Sequence, residues 1–230
     1  ALSLVGALAY WIVERRARDW FSAQPAAPSD RFVWSDVYRF DRSYWYLLGL
    51  CVLFYSVIFP FRSTFSIKYF QHAHHLPLDA ASLMNSYVFF AAIFATPAFG
   101  LLVDRFGRRA LFMMLGSLLL TLSFVVLGAT QWELWVSTVL VGISFSLIPA
   151  VLWPAVSMLV EQRRLGTAFG LMTMLQNIGL TISNVVVGQL NDVGRAGADN
   201  PAGYLPMLVY FGVLSFLGFI CAWLLRQREV

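Results

Sequence analysis

Charge is what this sequence has least of. Asp, Glu, Lys and Arg supply 12% of its 230 residues, whereas the apolar set supplies 59%; soluble domains carry roughly a quarter charged and about half apolar. That scarcity excludes an ordinary water-soluble domain and leaves an all-α, polytopic membrane protein. Carboxylates are also confined in position. Asp79, Asp104, Glu133, Glu161 and Asp192 all fall at the ends of apolar runs, so none is placed at mid-membrane depth, where a proton-carrying carboxylate is expected. Only two cysteines occur, Cys51 and Cys221, both inside apolar runs, where a small buried thiol is the ordinary role. They give no disulfide framework and no metal spacing. His72, His74 and His75 share one short polar stretch, read as a solvated loop whose imidazoles titrate in an acidic compartment. No nucleophile stands beside a base, and no phosphate-cradling loop is visible. The sequence therefore points to no enzyme, no catalytic residue, no cofactor and no metal. The net charge of +4 is dispersed among short loops, so a nucleic-acid partner is not indicated.

What is present is a series of long apolar runs. Residues 1–13 read as the end of a span that begins before the sequence does, closed by Glu14, Arg15, Arg16 and Arg18. Residues 14–43, with Pro25 and Pro28, are too polar to bury a core and read as a linker. Six runs follow, at 44–70, 80–103, 110–130, 134–160, 165–190 and 204–225, each long enough to cross a hydrocarbon core of about 30 Å. Residues 226–230 form a short tail. Tyr44, Trp45, Tyr46, Trp132 and Trp135 sit at the run ends, as interfacial aromatics do. Of the 16 basic residues, all but Arg62, Lys68 and Arg195 fall on one side of this weave. By the positive-inside rule that side is cytosolic, and with it the linker and the C-terminus.

Between the second and third of these runs lies Gly100-Leu-Leu-Val-Asp104-Arg105-Phe-Gly107-Arg108-Arg109. Glycines permit a tight turn, Asp104 suits a helix N-terminus, and the cations hold the loop at the membrane surface. The pattern resembles the signature loop of the major facilitator superfamily, departing only in Val103, where a smaller residue is usual. The resemblance implies the six-helix C-terminal bundle of a twelve-span fold plus the end of the preceding span. The rival placement is an N-terminal half with an additional leading helix. A narrower set, Phe59-Pro60-Phe61, Leu152-Trp153-Pro154, 165–170 and Gln176-Asn177, is similar to the lysosomal dipeptide transporters of that superfamily and their bacterial relatives. The stretch 62–68 departs from that branch and bears on the substrate. The resemblance implies an integral membrane protein, in the plasma or inner membrane of a bacterium or the lysosomal membrane of a eukaryote. It implies a secondary transporter of small organic solutes, dipeptides or similar zwitterions, working by alternating access. Drug or amphiphile efflux is the alternative, and a transporter-like receptor or scaffold is the alternative of another class. The partners implied are a small-molecule substrate, the bilayer, an N-terminal six-helix half and, in a symport mechanism, protons.

In this layout residues 44–70 and 134–160 line the cavity. Tyr55, Phe59, Arg62, Ser66 and Tyr69 recur at three- and four-residue steps and so share a helical face. Arg62 either meets a substrate carboxylate or snorkels to headgroups, and Lys68 is an interface anchor. Trp153 and Ser146, on a run broken by Pro149 and Pro154, complete the expected substrate set. Glu161 is expected to pair with Arg105 or Arg109, so that the signature loop latches one side shut. Gly166 and Gly170 form a small-residue step for helix packing, and Gln176 and Asn177 are amides expected to bond between helices. Asn85 and Ser86 carry the same ambiguity between packing and cavity.

Overall fold

The computed structural model describes residues 2–21, 34–129 and 134–228. Pro25 and Pro28 of the linker, Trp132 and Glu133, and the last two residues of the tail lie outside the described residues. Helix α1 (Leu2–Phe21) continues past residue 13, and its side chains from 6 to 15 are exposed. A single turn, α2 (Trp34–Val37), precedes the first long span.

That span starts where Asp41 caps helix α3 (Arg42–Pro60), its carboxylate accepting the Ser43 amide at 2.9 Å. The bond holds the Asp41 carboxyl below its ordinary value. Pro60 lacks an N–H and cannot bond the carbonyl four residues back. The Ser56 carbonyl accepts from the Ser183 hydroxyl of a neighbouring helix instead. The next five residues, Phe61–Phe65, form a π-helical segment, and the chain resumes as α4 (Ser66–Ala73). Together these pieces make one span, Arg42–Ala73.

The remaining spans are α5 (Leu78–Phe106), α6 (Arg109–Ala129), α7 (Leu134–Leu159), α8 (Leu165–Val193) and α9 (Leu205–Arg226). Gly107 ends α5 at φ 65°, its amide bonding the Val103 carbonyl at 2.8 Å. Glycine adopts that left-handed cap without strain, so α6 starts two residues later. Short 3-10 turns, Gln162–Arg164 and Pro201–Tyr204, lead into α8 and α9. Six helices among the described residues are long and apolar enough to cross a membrane, within a few residues of the runs in the sequence. The chain is an all-α integral membrane protein.

Helix α3 packs between α8 and α9; α9 leads on to α6, α6 to α7, and α7 to α5. Two glycines let α7 meet α5, and α8 meet α3, closely. A Cβ at Gly142 of α7 would lie 2.6 Å from the Val88 carbonyl of α5, and one at Gly179 of α8 would lie 2.6 Å from the Ser56 hydroxyl of α3. Burial is uneven. The apolar window of α3 is 67% buried, while those of α5 and α8 are 17% and 22% buried, so the two flanking helices present bare faces.

The packing step expected at Gly166 and Gly170 is displaced. Gly166 is half-buried and Gly170 exposed, and α8 meets α3 closely at Gly179. Tyr44 fixes the same seam, donating to the Ala168 carbonyl at 2.8 Å. Gln176 does bond between helices, accepting from Cys51 at 3.7 Å. Asn177 does not: it is exposed and donates to the Thr173 carbonyl one turn back.

Candidate functional site

The π-helical segment reorganises the face expected on the first long span. An extra residue in a turn rotates everything beyond it by roughly 100°. Tyr55, Phe59 and Arg62, before or within the segment, look toward α5 and α7. Ser66 and Tyr69, beyond it, are turned into the bundle. Ser66 is buried, its one hydroxyl proton shared between the Arg62 carbonyl at 3.0 Å and the Asn85 side-chain oxygen at 3.1 Å, and the Tyr69 hydroxyl donates to the Leu127 carbonyl at 2.9 Å. Neither lines a cavity. Ser146 is likewise buried and spends its hydroxyl on the Gly142 carbonyl. These two serines leave the expected substrate set, Ser66 because the π turn rotates it off the face and Ser146 because its hydroxyl is satisfied within its own helix.

What remains is an aromatic wall built from four helices. Trp153 donates its indole N–H to the Tyr55 hydroxyl at 3.0 Å and stacks on Phe169 of α8 at 5.9 Å. Tyr55 stacks on Phe59 at 5.5 Å, and Phe145 of α7 meets both Phe59 and Phe89, each at 6.3 Å. Arg62 lies against this wall with its guanidinium 4.3 Å from the Phe89 ring and 5.8 Å from the Phe59 ring. Such a cation–π contact favours the charge without neutralising it. The Arg62 Nε is shut away from solvent with no partner among the described residues. No carboxylate there lies within ion-pair distance of Arg62. Lys68 is exposed on α4.

Beside Arg62 the π segment presents Ser63 and Thr64, both exposed. The Thr64 hydroxyl donates to Asn184 of α8 at 3.1 Å. Phe89, Phe145, Phe169, Thr64 and Asn184 were not singled out by the sequence. In a chain with 20 phenylalanines nothing in the spacing sets three of them apart, and Asn184 announces itself only as a lone amide in an apolar run.

At the signature loop Asp104, Arg105 and Arg108 are exposed and Arg109 is half-buried. A Cβ at Gly100 would meet nothing within 4 Å. The expected pair between Glu161 and Arg105 or Arg109 is not formed. Glu161 is held by its sequence neighbours, Arg163 at 2.8 Å and Arg164 at 3.8 Å, and Arg164 also reaches Asp36 of α2 at 3.4 Å. Proximity on one 3-10 turn wins over a partner on another helix, and Arg109 instead contacts the Met158 sulfur. The Arg163 bond, followed by the field of Arg164, keeps the Glu161 carboxyl below its ordinary value. The histidine stretch is less solvated than its composition implies. His72 Nδ1 and the Tyr204 hydroxyl share a hydrogen bond of 2.7 Å. Burial, with His75 beside it, holds the His74 imidazole below its ordinary value.

Among the described residues, six helices long and apolar enough to cross a membrane carry an aromatic face against which Arg62 rests. Residues 47–230 match the Major Facilitator Superfamily, and the chain belongs to that family. It is 32% identical to the lysosomal dipeptide transporter MFSD1 of Danio rerio over 91% of the chain and 43% of that protein. It is 30% identical to the Homo sapiens protein of the same name over 99% of the chain and 48% of that protein. A probable actinorhodin transporter of Streptomyces coelicolor is 31% identical over 50% of the chain and 21% of that protein. The chain spans about half the length of the MFSD1 relatives it matches.

Proposed function

We propose that this chain is the C-terminal half of a secondary transporter that moves dipeptides or similar zwitterions by alternating access. The observation that carries the reading is Arg62. A half-buried guanidinium with one enclosed, unpartnered N–H, backed by two aromatic rings, is suited to a carboxylate that arrives and leaves. Thr64 and Asn184 stand beside it for peptide amides, and Tyr55, Phe59, Phe145 and Trp153 offer rings to side chains of differing size. The similarity to proteins named as dipeptide transporters supports the same substrate class. In this reading the open faces of α5 and α8 meet an N-terminal six-helix half, and α1 ends the last span of that half. Residues 14–43 and the C-terminus are cytosolic, in keeping with the arginine-rich loops. The exposed Asp104, Arg105 and Arg108 act as a latch against the other half, so Asp104→Asn lowers transport without lowering the amount of protein in the membrane.

The test is uptake of a dipeptide panel by the intact protein in proteoliposomes, with and without an inward proton gradient. Saturable uptake that Arg62→Ala weakens on the order of tenfold or more supports the assignment, since a charged hydrogen bond contributes about 1.5–3 kcal/mol. Uptake indifferent to that substitution would remove Arg62 from the site. A response to the gradient separates symport from uniport. Efflux of a bulkier aromatic solute is the second reading, favoured by the similarity to the probable actinorhodin transporter and by the aromatic wall. It predicts saturable transport of such solutes with none of dipeptides. Absence of any flux from folded protein would favour a receptor or scaffold.

A further inference from the structure

A cavity of about 570 Å³ opens where α6 begins and α7 and α9 end, away from the aromatic face. Its base is apolar, formed by Leu111, Ala155, Met158, Leu159 and Leu225, and its polar groups are Arg108, Arg109 and Arg226. Among the described residues, no carboxylate lines it. A second hollow, of about 550 Å³, shares Arg108 and Leu111 and adds Arg105 to the same rim. Arg226 has an ordinary explanation, since a cation in the last turn of α9 complements the negative end of the helix dipole. Arg108 and Arg109 lack that complement, because they precede or open α6, where the dipole disfavours cations. Arg109 is half-buried, and its Nε is enclosed with no partner among the described residues. Among the described residues, the nearby acids are elsewhere: Glu161 is engaged by Arg163 and Arg164, and Asp104 does not line either hollow.

An anion resolves each of these features. It gives the guanidinium groups a partner and reverses the unfavourable charge at the start of α6. The apolar base, at the level where three helices leave the membrane, suits the glycerol and upper acyl carbons of a lipid better than a free ion. We propose that this cavity binds the phosphate group of an anionic phospholipid from the leaflet on the arginine-rich side. Arg108, Arg109 and Arg226 hold the headgroup, and Leu111, Met158 and Leu225 contact the chains. A lipid seated there bridges α6, α7 and α9, and the site is independent of the substrate assignment at Arg62.

The experiment is native mass spectrometry of the intact protein in mild detergent, titrated with phosphatidylglycerol or with phosphatidylcholine of the same chains. Preferential binding of phosphatidylglycerol, weakened about tenfold or more in Arg109→Gln/Arg226→Gln, is the expected result, since each cation near such a surface contributes about 1 kcal/mol. Arg108→Gln, at an exposed position, repeats the test should the double variant fail to fold. Arg228→Gln, outside the cavity, leaves binding unchanged. Equal binding of the two lipids, or full affinity in both cavity variants, overturns the proposal. Displacement of the lipid by millimolar inorganic phosphate overturns the choice of a lipid, making the site one for a soluble anion.

Discussion

The two sides of the first long span make different use of polar groups. On the packed side, against α8 and α9, bonds such as Ser183 to Ser56 and Tyr44 to Ala168 close within the chain, and the polar atom left over there is the neutral Ser56 hydroxyl beside Gly179. On the side toward α5 and α7, Arg62 keeps an unpartnered N–H and rests on rings. The difference separates groups that hold the bundle together from groups held ready for something else. Leaving a buried polar atom without a partner costs free energy, and a charged guanidinium costs more than a hydroxyl.

The contrast breaks most severely at Gly142. Valine there drives its Cβ into the Val88 carbonyl and the Ala91 methyl, which would lie 2.6 and 2.7 Å away. Overpacking of this kind costs about 1–3 kcal/mol, and α5 must move away from α7. Thermal unfolding of the intact protein in detergent is expected to fall by roughly 5–10 °C. A midpoint like that of the parent would mean that α5 and α7 do not meet at this glycine.

Ser183→Ala acts on the packed side alone. It leaves the carbonyl freed by Pro60 without its cross-helix donor, at about 1–3 kcal/mol. Ser146→Ala, which removes a bond within a single helix, is the control and is expected to be near neutral. Equal effects from the two serines would show that the proline break needs no external tie.

How much of this was legible depends on range. The six spans could be read because hydropathy over some 20 residues is a local property, and the α5–α6 turn because Gly107 must take a left-handed cap. Tyr55, Phe59, Arg62 and Trp153, expected on two different spans, lie near one another in the structure. Ser66 failed because it lies beyond a π turn that no spacing rule announces, and Ser146 because a hydroxyl one turn above Gly142 satisfies itself within the helix. The Glu161 partner was misread for a different reason: two candidate cations on another helix were preferred to the arginines two and three residues along. Gly142 and Gly179 carry close interhelical contacts, yet only their partners distinguish them from other glycines.

Trp153→Phe tests the open side with less force. It retains the aromatic ring beside Phe169 and removes the N–H that Tyr55 accepts. A loss of about 0.5–1.5 kcal/mol in stability is expected, together with a changed preference among ring-bearing substrates if Tyr55 is freed to rotate. Unchanged stability and selectivity would reduce the indole to a space-filler.

The smallest effect is expected at Glu161, which is fully exposed and bonds its own neighbours. Its carboxyl is depressed in the folded state by Arg163 and then Arg164, so its stabilising contribution is present above the unfolded value of about 4.3. That contribution is lost as pH falls through the still lower folded value. Glu161→Gln is therefore expected to leave unfolding at neutral pH nearly unchanged and to flatten the loss of stability below about pH 4. Because Arg164 also reaches Asp36, the same substitution leaves α2 its contact with the start of α8. A pH profile identical to the parent would show that the Arg163 and Arg164 pairs with Glu161 contribute nothing to folding. A large loss at neutral pH would instead show that Glu161 serves a contact beyond Arg163 and Arg164, and would move it from the self-contained side of the comparison to the open one.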